Sequence, residues 1–146
     1  MTIRRMQEGD IAGIYAIERQ SFALPWSEDS IRHDLTENVV ARWLVMADEQ
    51  NRVVAYAAAW LVMDEAQICS IAVDPAYRGR GHGKQILQAL IALSKEEGMR
   101  MVTLEVRRSN TTAQNLYHSV GFLDVGYRKH YYEDNREDAL IMYLEF

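Results

Sequence analysis

The glycines and cations between residues 71 and 84 are the part of the sequence whose residue types best suit ligand chemistry. Here an apolar run ends, an Asp-Pro pair makes a turn, and three glycines at alternate positions lead into a helical pattern. Glycine lets a ligand approach the main chain closely, and free N–H groups at a helix start attract an anion. Arg78, Arg80 and Lys84 add positive charge. The stretch therefore predicts a phosphate or pyrophosphate site, with an ordinary glycine-rich loop as the alternative.

Two well-known phosphate-binding motifs do not fit this stretch. A P-loop needs glycine where Arg78 stands and a magnesium-binding hydroxyl where Gln85 stands. The dinucleotide fingerprint G-x-G-x-x-G would end on Lys84 or Ile86, depending on the glycine from which it is counted. The pattern that does fit is R-x-x-G-x-G, over residues 78–83.

Glu105 and Tyr117 are two further residues to consider, because a carboxylate can accept a proton and a phenol can donate one. Glu105 lies on a predicted strand on which apolar side chains alternate with Thr103, Glu105 and Arg107. In a sheet covered on both faces, such a carboxylate needs a partner or a cleft. A glutamate that faces solvent or pairs with Arg107 is the structural alternative. Tyr117 lies on a short predicted helix next to Leu116, where core packing is the ordinary interpretation.

Length and composition favour a single globular domain over residues 1–146. The chain is 49% hydrophobic and 25% charged, which is ordinary for a soluble protein. It has neither the apolar core of a signal peptide nor an apolar run of about 20 residues, so we expect no secretion and no membrane association. The net charge of −5 argues against general nucleic-acid binding.

The cysteine and histidine content predicts a reducing compartment and no metal site. The single cysteine, Cys69, has no internal disulfide partner, so we expect a cytoplasmic location. Cys69 lies in a strand-like run, which indicates a small buried core residue rather than a nucleophile. The four histidines lack the spacing of metal ligands. They are His33, His82, His118 and His130.

The hydrophobic pattern predicts seven strands and four helices that would hold these residues. Ser27 and Asp10 are predicted N-caps, and Gly98 and Gly121 are predicted helix ends. Hairpins followed by alternating strands and helices indicate an α/β (α+β) fold, a mixed sheet with helices on both faces. The predicted strands cover residues 2–6, 42–47, 52–63, 67–73, 101–106, 122–132 and 139–146, and the helices about 11–22, 28–38, 84–97 and 111–120.

With this order of elements, the chain resembles the GCN5-related N-acetyltransferases (GNAT) over nearly its whole length. It looks most like their RimI type, which acetylates the N-terminal alanine of a small-subunit ribosomal protein. The resemblance implies a mostly antiparallel seven-stranded sheet that splays between strands four and five, with acetyl-CoA in the V between them. The segments that carry it are residues 78–84, 104–110, 113–117, 121–122, 131–132 and 137–139.

The resemblance also implies the residues that would hold acetyl-CoA. Main-chain groups of the fourth strand would bind the pantetheine arm like an added strand, with one N–H directed at the thioester oxygen. The glycine-rich loop would hold the pyrophosphate. The implied cofactor-binding residues are Ile71, Ala72, Val73, Arg78, Gly79, Arg80, Gly81, His82, Gly83, Lys84, Asn110 and Tyr117.

The catalytic roles implied by the resemblance fall on Glu105 and Tyr117. Glu105 would be the general base that removes the proton of the amine, directly or through water. Tyr117 would protonate the departing coenzyme A thiolate. No metal ion is implied.

For the acceptor, the resemblance implies a slot for a peptide N-terminus flanked by Trp26, Tyr131 and Tyr132. The alternatives are that Trp26 staples a helix and that the two tyrosines stabilise a hairpin. The expected partner is a protein N-terminus, that of a ribosomal protein. Alternative acceptors are small amines, such as polyamines or amino acids, and lysine. A non-catalytic acyl-CoA-binding module is the alternative outside the enzymes.

Overall fold

One sheet of seven strands runs through the molecule. The computed structural model describes residues 1–146. The strands are β1 (Thr2–Arg5), β2 (Ala41–Ala47), β3 (Val53–Val62), β4 (Glu65–Val73), β5 (Met101–Arg107), β6 (Leu123–Arg128) and β7 (Ala139–Glu145). The helices are α1 (Ile11–Ser21), α2 (Glu28–Thr36), α3 (His82–Glu96) and α4 (Thr111–Ser119). None of these helices has the length and apolar character needed to cross a lipid bilayer.

The strand pairing matches the mixed, mostly antiparallel sheet that was predicted. The spatial order is β1-β2-β3-β4-β5-β7-β6, and all neighbours are antiparallel except β4 and β5. The parallel β4–β5 ladder is short, because it joins only Glu65–Gln67 to Met101–Thr103. The predicted opening between the fourth and fifth strands is therefore confirmed.

A β-bulge in β4 explains where the sheet opens. The register of β3 against β4 shifts so that Cys69 is an extra residue between Ile68 and Ser70. A bulge bends its strand and increases its twist, and this one follows directly on the last β4–β5 pair, at Gln67. Cys69 is half-buried at this point and packs against the hydrophobic core, so the predicted core contact is present but the predicted full burial is not. The part of β4 after the bulge keeps an edge that does not pair with β5.

Each face of the sheet buries its own hydrophobic cluster. On one face α3 packs through Ile86, Leu87 and Leu90, all fully buried. On the other face α1 and α2 pack through Ile14 and Ile31. Fully burying such a side chain contributes about 1.5–3 kcal/mol. The prediction of helices on both faces is confirmed, and it explains why β3 is apolar along nearly its whole length.

Glycine and serine set the helix ends that position the glycine-rich loop and the α1–α2 segment. Gly79 and Gly81 have φ values of +79° and +83°, and Gly81 is the N-cap residue of α3. This left-handed region favours glycine because a Cβ atom would be strained there. Gly98, with φ of +83°, follows the C-terminal end of α3 as predicted. Ser27 caps α2, because its Oγ accepts a hydrogen bond from the Ser30 N–H at 3.0 Å.

The structure corrects two local predictions. Asp10 does not cap α1 with its side chain. Its carboxylate instead accepts hydrogen bonds from the guanidinium of Arg4 and the N–H of Gln7, both at 2.7 Å. The sixth strand ends at Arg128 rather than near residue 132, and residues 129–138 form a loop. We call these residues the β6–β7 loop.

Candidate active site

A cleft formed by three adjoining cavities follows the gap between β4 and β5. The phosphate end is a cavity of about 530 Å³ against the glycine-rich loop, the centre is about 380 Å³, and the far end is about 630 Å³. Ile71, Asn110 and Tyr117 line both the phosphate end and the centre. Glu105 and Tyr132 line both the centre and the far end. The cleft can therefore hold a long ligand that enters from one end and a second ligand that enters from the other.

The main chain at the phosphate end forms a cradle suited to an anion. Gly79, Gly81 and Gly83 all line this cavity. A Cβ atom at Gly83 would lie 3.6 Å from the side chains of Leu116 and Val73, so the backbone is close to the opposite wall. The free N–H groups at the start of α3 open onto the same space, where the positive end of the helix dipole favours negative charge.

The three cations of the loop are placed differently from one another. Arg78 donates from Nε to the Val73 carbonyl and from Nη2 to Ser21 Oγ, both at 3.0 Å, which joins the loop to β4 and α1. Lys84 lines the phosphate end together with Arg78. Arg80 is not part of that lining, and its guanidinium lies 5.5 Å from the centre of the Tyr77 ring. Only two of the three predicted cations thus reach the cavity.

The unpaired part of β4 forms one wall of the phosphate end and of the centre. Ile71, Ala72 and Val73 pair with β3 on one side. Their other side lies beyond the end of the β4–β5 ladder and lines the cleft. A free strand edge binds an extended ligand through main-chain hydrogen bonds. Asn110 lies opposite, where its Oδ1 caps α4 by accepting from the Ala113 N–H at 3.1 Å.

Glu105 lies at the junction of the centre and the far end, and its ionic partner is Arg128. The Arg128 Nε lies 2.7 Å from Glu105 Oε1. The alternative that Glu105 pairs with Arg107 was therefore wrong. The side chains of Glu105 and Arg128 are 27% and 57% exposed, respectively, so this ion pair is hydrated and contributes little to stability. Interaction with the Glu105 carboxylate is also the main reason why the pKa of the Tyr131 phenol is raised.

Arg107 holds the β6–β7 loop against the cleft instead. Its Nη1 lies 2.9 Å from Asp134 and 3.1 Å from Glu137, and its guanidinium is 4.0 Å from the centre of the Tyr132 ring. Hydrogen bonds from Ser109 and Arg107 lower the pKa of Glu137 to about 2. This ionic cluster positions Tyr132, whose own pKa is raised to about 12, mainly by burial.

Tyr117 is the buried phenol of the site. Its ring packs edge-on against Phe122, with centroids 5.6 Å apart. Burial raises the pKa of Tyr117, since the phenolate would lose its hydration. The side chain lines both the phosphate end and the centre. It is therefore a neutral phenol side chain where the phosphate end meets the centre.

Trp26 closes the far end of the cleft from the α1–α2 side. It lines this cavity together with Trp60, Tyr131 and Tyr132. Its ring makes edge contacts with Trp43 and Trp60, at centroid distances of 5.4 and 6.3 Å. The same side chain packs against the cluster that contains Ile31, so the predicted packing role and a lining role coexist.

Sequence reasoning missed two charged residues that line the cleft, Arg128 and Glu18, and a third behind it, Asp34, which accepts a hydrogen bond from the Trp60 indole. Glu18 and Asp34 are both almost fully buried, and each accepts several hydrogen bonds. The signal for Glu18 was present, because it continues the apolar stripe of α1 at helical spacing. Arg128 carries no comparable signal, since its partner lies 23 residues away in the sequence.

Comparison with known proteins extends the similarity over the whole chain. Residues 11–122 match the model of the acetyltransferase (GNAT) family. A ribosomal protein bS18-alanine N-acetyltransferase of Escherichia coli K12 is 39% identical over 146 residues, covering 98% of this chain and 96% of the relative. A Bacillus subtilis relative that carries the same name provisionally is 44% identical over 142 residues, or 97% and 93% of the two chains. The crystal structure of the ribosomal-protein-S18-alanine N-acetyltransferase from Escherichia coli has a TM-score of 0.88 at 36% identity, over 99% of this chain and 92% of that one.

The ionic cluster of the β6–β7 loop predicts a loss of stability in acid. Because the pKa of Glu137 is lowered to about 2, its contribution is complete above the unfolded-state pKa and is lost as the pH falls towards 2. Glu137→Gln should lower the melting temperature at about pH 6. Between about pH 6 and about pH 3, the melting temperature of the variant should then fall less than that of the wild type. Thermal unfolding followed by circular dichroism measures both. Glu133→Gln, on an exposed position of the same loop, is the control. A variant with the same pH dependence as the wild type would contradict the assignment.

Proposed function

The chain belongs to the acetyltransferase (GNAT) family, and from this premise we propose that it transfers an acetyl group from acetyl-CoA to the N-terminal α-amine of a protein. The acceptor proposed here is the N-terminal alanine of the small-subunit ribosomal protein bS18, which the relatives carry in their names. Residues 1–146 would act as one catalytic domain. A ribosomal acceptor and a single cysteine together favour a cytoplasmic location.

The observation that carries this proposal is the order of the side chains along the cleft. Tyr117 lies where the phosphate end meets the centre, and Glu105 lies where the centre meets the far end. A donor bound at the phosphate end would present its acetyl group to the centre. An amine that enters from the far end would meet Glu105 first. The proposed acid is therefore on the donor side and the proposed base on the acceptor side, as direct transfer between the two ligands requires.

The residues of the phosphate end fit acetyl-CoA, which supplies an activated acetyl thioester when bound. The glycine-rich loop and the start of α3 would hold the pyrophosphate, assisted by Arg78 and Lys84. The free edge of β4 over Ile71–Val73 would hold the pantetheine arm. One N–H of that edge would stabilise the negative charge that develops on the carbonyl oxygen during attack.

Glu105 would take the proton that the amine loses when its nitrogen bonds to the acetyl carbon. An α-amino group has a pKa of about 7.7–8.0, so a useful fraction is already neutral near pH 7. A carboxylate is then a sufficient base, acting directly or through a water molecule. Arg128 would have to share or leave the Glu105 carboxylate when the amine arrives, because it contacts the same group.

Tyr117 would stabilise the sulfur that leaves when the carbon–sulfur bond breaks. A free thiol has a pKa of about 8.5, well below the raised pKa of this phenol. Complete proton transfer to a hydrated thiolate would thus be uphill. A thiolate in the same buried space is also more basic than in water, because desolvation disfavours its charge. The Tyr117 hydroxyl is accordingly suited to donate a strong hydrogen bond and then the proton.

The far end favours a peptide N-terminus over a small polyamine. It is bordered by Trp26 and Trp60 on one side and by Tyr131 and Tyr132 on the other. These side chains leave space for an extended main chain beyond the reacting amine. Chemistry adds to the preference over lysine, since at pH 7 the neutral form of an α-amine is roughly several hundred times more abundant.

The cofactor assignment predicts unequal effects of two neighbouring cations. Lys84→Gln should weaken acetyl-CoA binding about threefold to tenfold, more at low salt, because Lys84 lines the phosphate end. Arg80→Gln removes the same charge from a residue outside this lining and should have a smaller effect. Calorimetric titration of both variants at two salt concentrations measures the difference. Equal or reversed effects would contradict the site.

The catalytic assignment predicts losses of turnover without loss of donor binding. Glu105→Gln and Tyr117→Phe should each lower kcat by roughly 10²–10⁴-fold, as expected for general acid–base residues. The acetyl-CoA dissociation constant should stay nearly unchanged, because neither substitution removes a cation or a main-chain group that is proposed to hold the pyrophosphate, and Tyr117→Phe keeps the aromatic ring in the wall of the cavity. Turnover within about threefold of the wild type, well below that range, would remove the substituted residue from the mechanism.

The acceptor assignment predicts the outcome of a competition. A peptide that begins with alanine and carries the bS18 N-terminal sequence should be acetylated in preference to spermidine. It should also be preferred over the same peptide with a blocked N-terminus and one free lysine. Mass spectrometry of the mixture identifies the products. Preference for spermidine would favour the small-amine alternative, and preference for the blocked peptide would favour the lysine alternative. No acetylation of any amine, with acetyl-CoA bound, would favour a non-catalytic binding module.

A further inference from the structure

A buried carboxylate lies beside the cleft and is used by none of the proposed steps. The Glu18 residue is only 2% exposed, and it lines the centre of the cleft. Its Oε1 accepts a hydrogen bond from the main-chain N–H of Trp26 at 3.1 Å. Its Oε2 accepts hydrogen bonds from the Ser70 hydroxyl at 2.9 Å and from the Tyr56 hydroxyl. Glu18 therefore joins the α1–α2 segment to both β3 and β4.

Burial of this carboxylate is energetically unfavourable. None of the groups that donate to it is a cation, so no ion pair offsets the loss of hydration. The neighbouring inward positions of α1 are occupied by Ile11, Ile14 and Ile17, and an apolar side chain would suit the same stripe. The hydrogen bonds that Glu18 accepts are what offset its burial. The role of Glu18 therefore lies in the groups that these hydrogen bonds hold in place.

The segment held in this way is residues 22–26, the wall of the cleft that carries Trp26. Both ends of the segment are bonded to Glu18. The main-chain carbonyl of Glu18 accepts a hydrogen bond from the Phe22 N–H at 3.0 Å, and the Glu18 carboxylate accepts one from the Trp26 N–H. Ala23 and Leu24, which lie between them, are exposed and have no main-chain hydrogen bond through their N–H groups. Glu18 thus binds the main chain at both ends of this short loop.

We infer that Glu18 is a positioning residue for the acceptor: it fixes Trp26 at the far end of the cleft and couples it to the β4 wall through Ser70. Ser70 directly precedes Ile71, the first residue of the strand edge proposed to hold the donor. The Trp26 ring is fixed separately, by Trp43 and Trp60. Their indole Nε1 groups each donate to Asp34 Oδ2 at 2.9 Å. The inference rests on the acceptor role of Trp26 in the proposed function.

Two substitutions at Glu18 separate positioning from general stability. Glu18→Met keeps a side chain of similar length but removes the acceptor of the Trp26 N–H and of the Ser70 and Tyr56 hydroxyls. It should raise KM for the alanine peptide about tenfold, the equivalent of one hydrogen bond to a charged group. The values of kcat and of the acetyl-CoA dissociation constant should stay within about twofold of the wild type, less than the loss of one such hydrogen bond gives, because Glu18 does not line the phosphate end and the Ile71–Val73 main chain stays paired with β3. Glu18→Gln should restore a KM close to wild type, since its amide oxygen can still accept and the two hydroxyls can turn to accept from its NH₂ group.

Asp10→Asn is the matched control. Asp10 is also buried at 5% exposure and also binds a main-chain N–H, that of Gln7, but it lies at the other end of α1 and lines no part of the cleft. It should lower the melting temperature without changing KM for the peptide. An equal rise of KM in Asp10→Asn and Glu18→Met would overturn the inference, because the effect would then follow stability alone.

Hydrogen exchange of the wild-type protein tests the same contact without a substitution, and it serves if Glu18→Met does not fold. The amide of Trp26 should exchange slowly compared with the amides of Ala23 and Leu24 when followed by NMR. Rapid exchange at Trp26 would overturn the inference. Trp26→Ala separates the role of Glu18 from the acceptor role of Trp26. A KM raised by Trp26→Ala but unchanged by Glu18→Met would overturn the role of Glu18 only. A KM unchanged by both would overturn the acceptor role of Trp26, and the inference with it.

Discussion

The structure depends on one interruption, the end of the β4–β5 ladder at Gln67. Main-chain N–H and C=O groups that leave a sheet need other partners, so an interior edge of this kind is stable only where water or a ligand can reach it. The bulge at Cys69 provides the bend that separates the two strands. From that point on, β4 presents a free edge, and β5 presents Glu105 to the same space. The cleft is thus a consequence of strand pairing rather than of loops laid over a closed sheet.

The loops that border the far end are held by hydrogen bonds and ion pairs to charged side chains in addition to aromatic packing. On one side Arg107 forms ion pairs with Asp134 and Glu137 and contacts the Tyr132 ring. On the other side the Glu18 carboxylate accepts a hydrogen bond from the Trp26 N–H. Directional bonds of this kind fix the main chain of a loop more narrowly than apolar contacts do, because they constrain the angle as well as the distance. They also leave the loop dependent on single residues, because removing one partner leaves the other unsatisfied.

Much of the architecture could be predicted from the sequence, because it rests on local signals. The glycine-rich loop, the Ser27 cap, the end of α3 at Gly98 and the alternation of β5 are all properties of neighbouring residues. The partner of Glu105 could not be predicted in this way. Arg107 is two residues away, but Arg128 becomes a neighbour only through the pairing of β6 with β7 and of β7 with β5. The bulge at Cys69 is equally invisible in sequence, since it is a difference in register between two strands.

The two proposed proton-transfer residues differ in burial in the way that their tasks require. Tyr117 lies on α4 and is almost fully buried, and its raised pKa would keep it a neutral donor until a thiolate formed beside it. Glu105 is partly exposed and lies beside Arg128, so a proton that it received as the proposed base could pass on to solvent. If the burial of the two were exchanged, the phenol would be hydrogen-bonded to water instead of sulfur. The carboxylate would then have no route for its proton. The burial of Tyr117 and the partial exposure of Glu105 thus support the proposed acid at the donor side and the proposed base at the hydrated side.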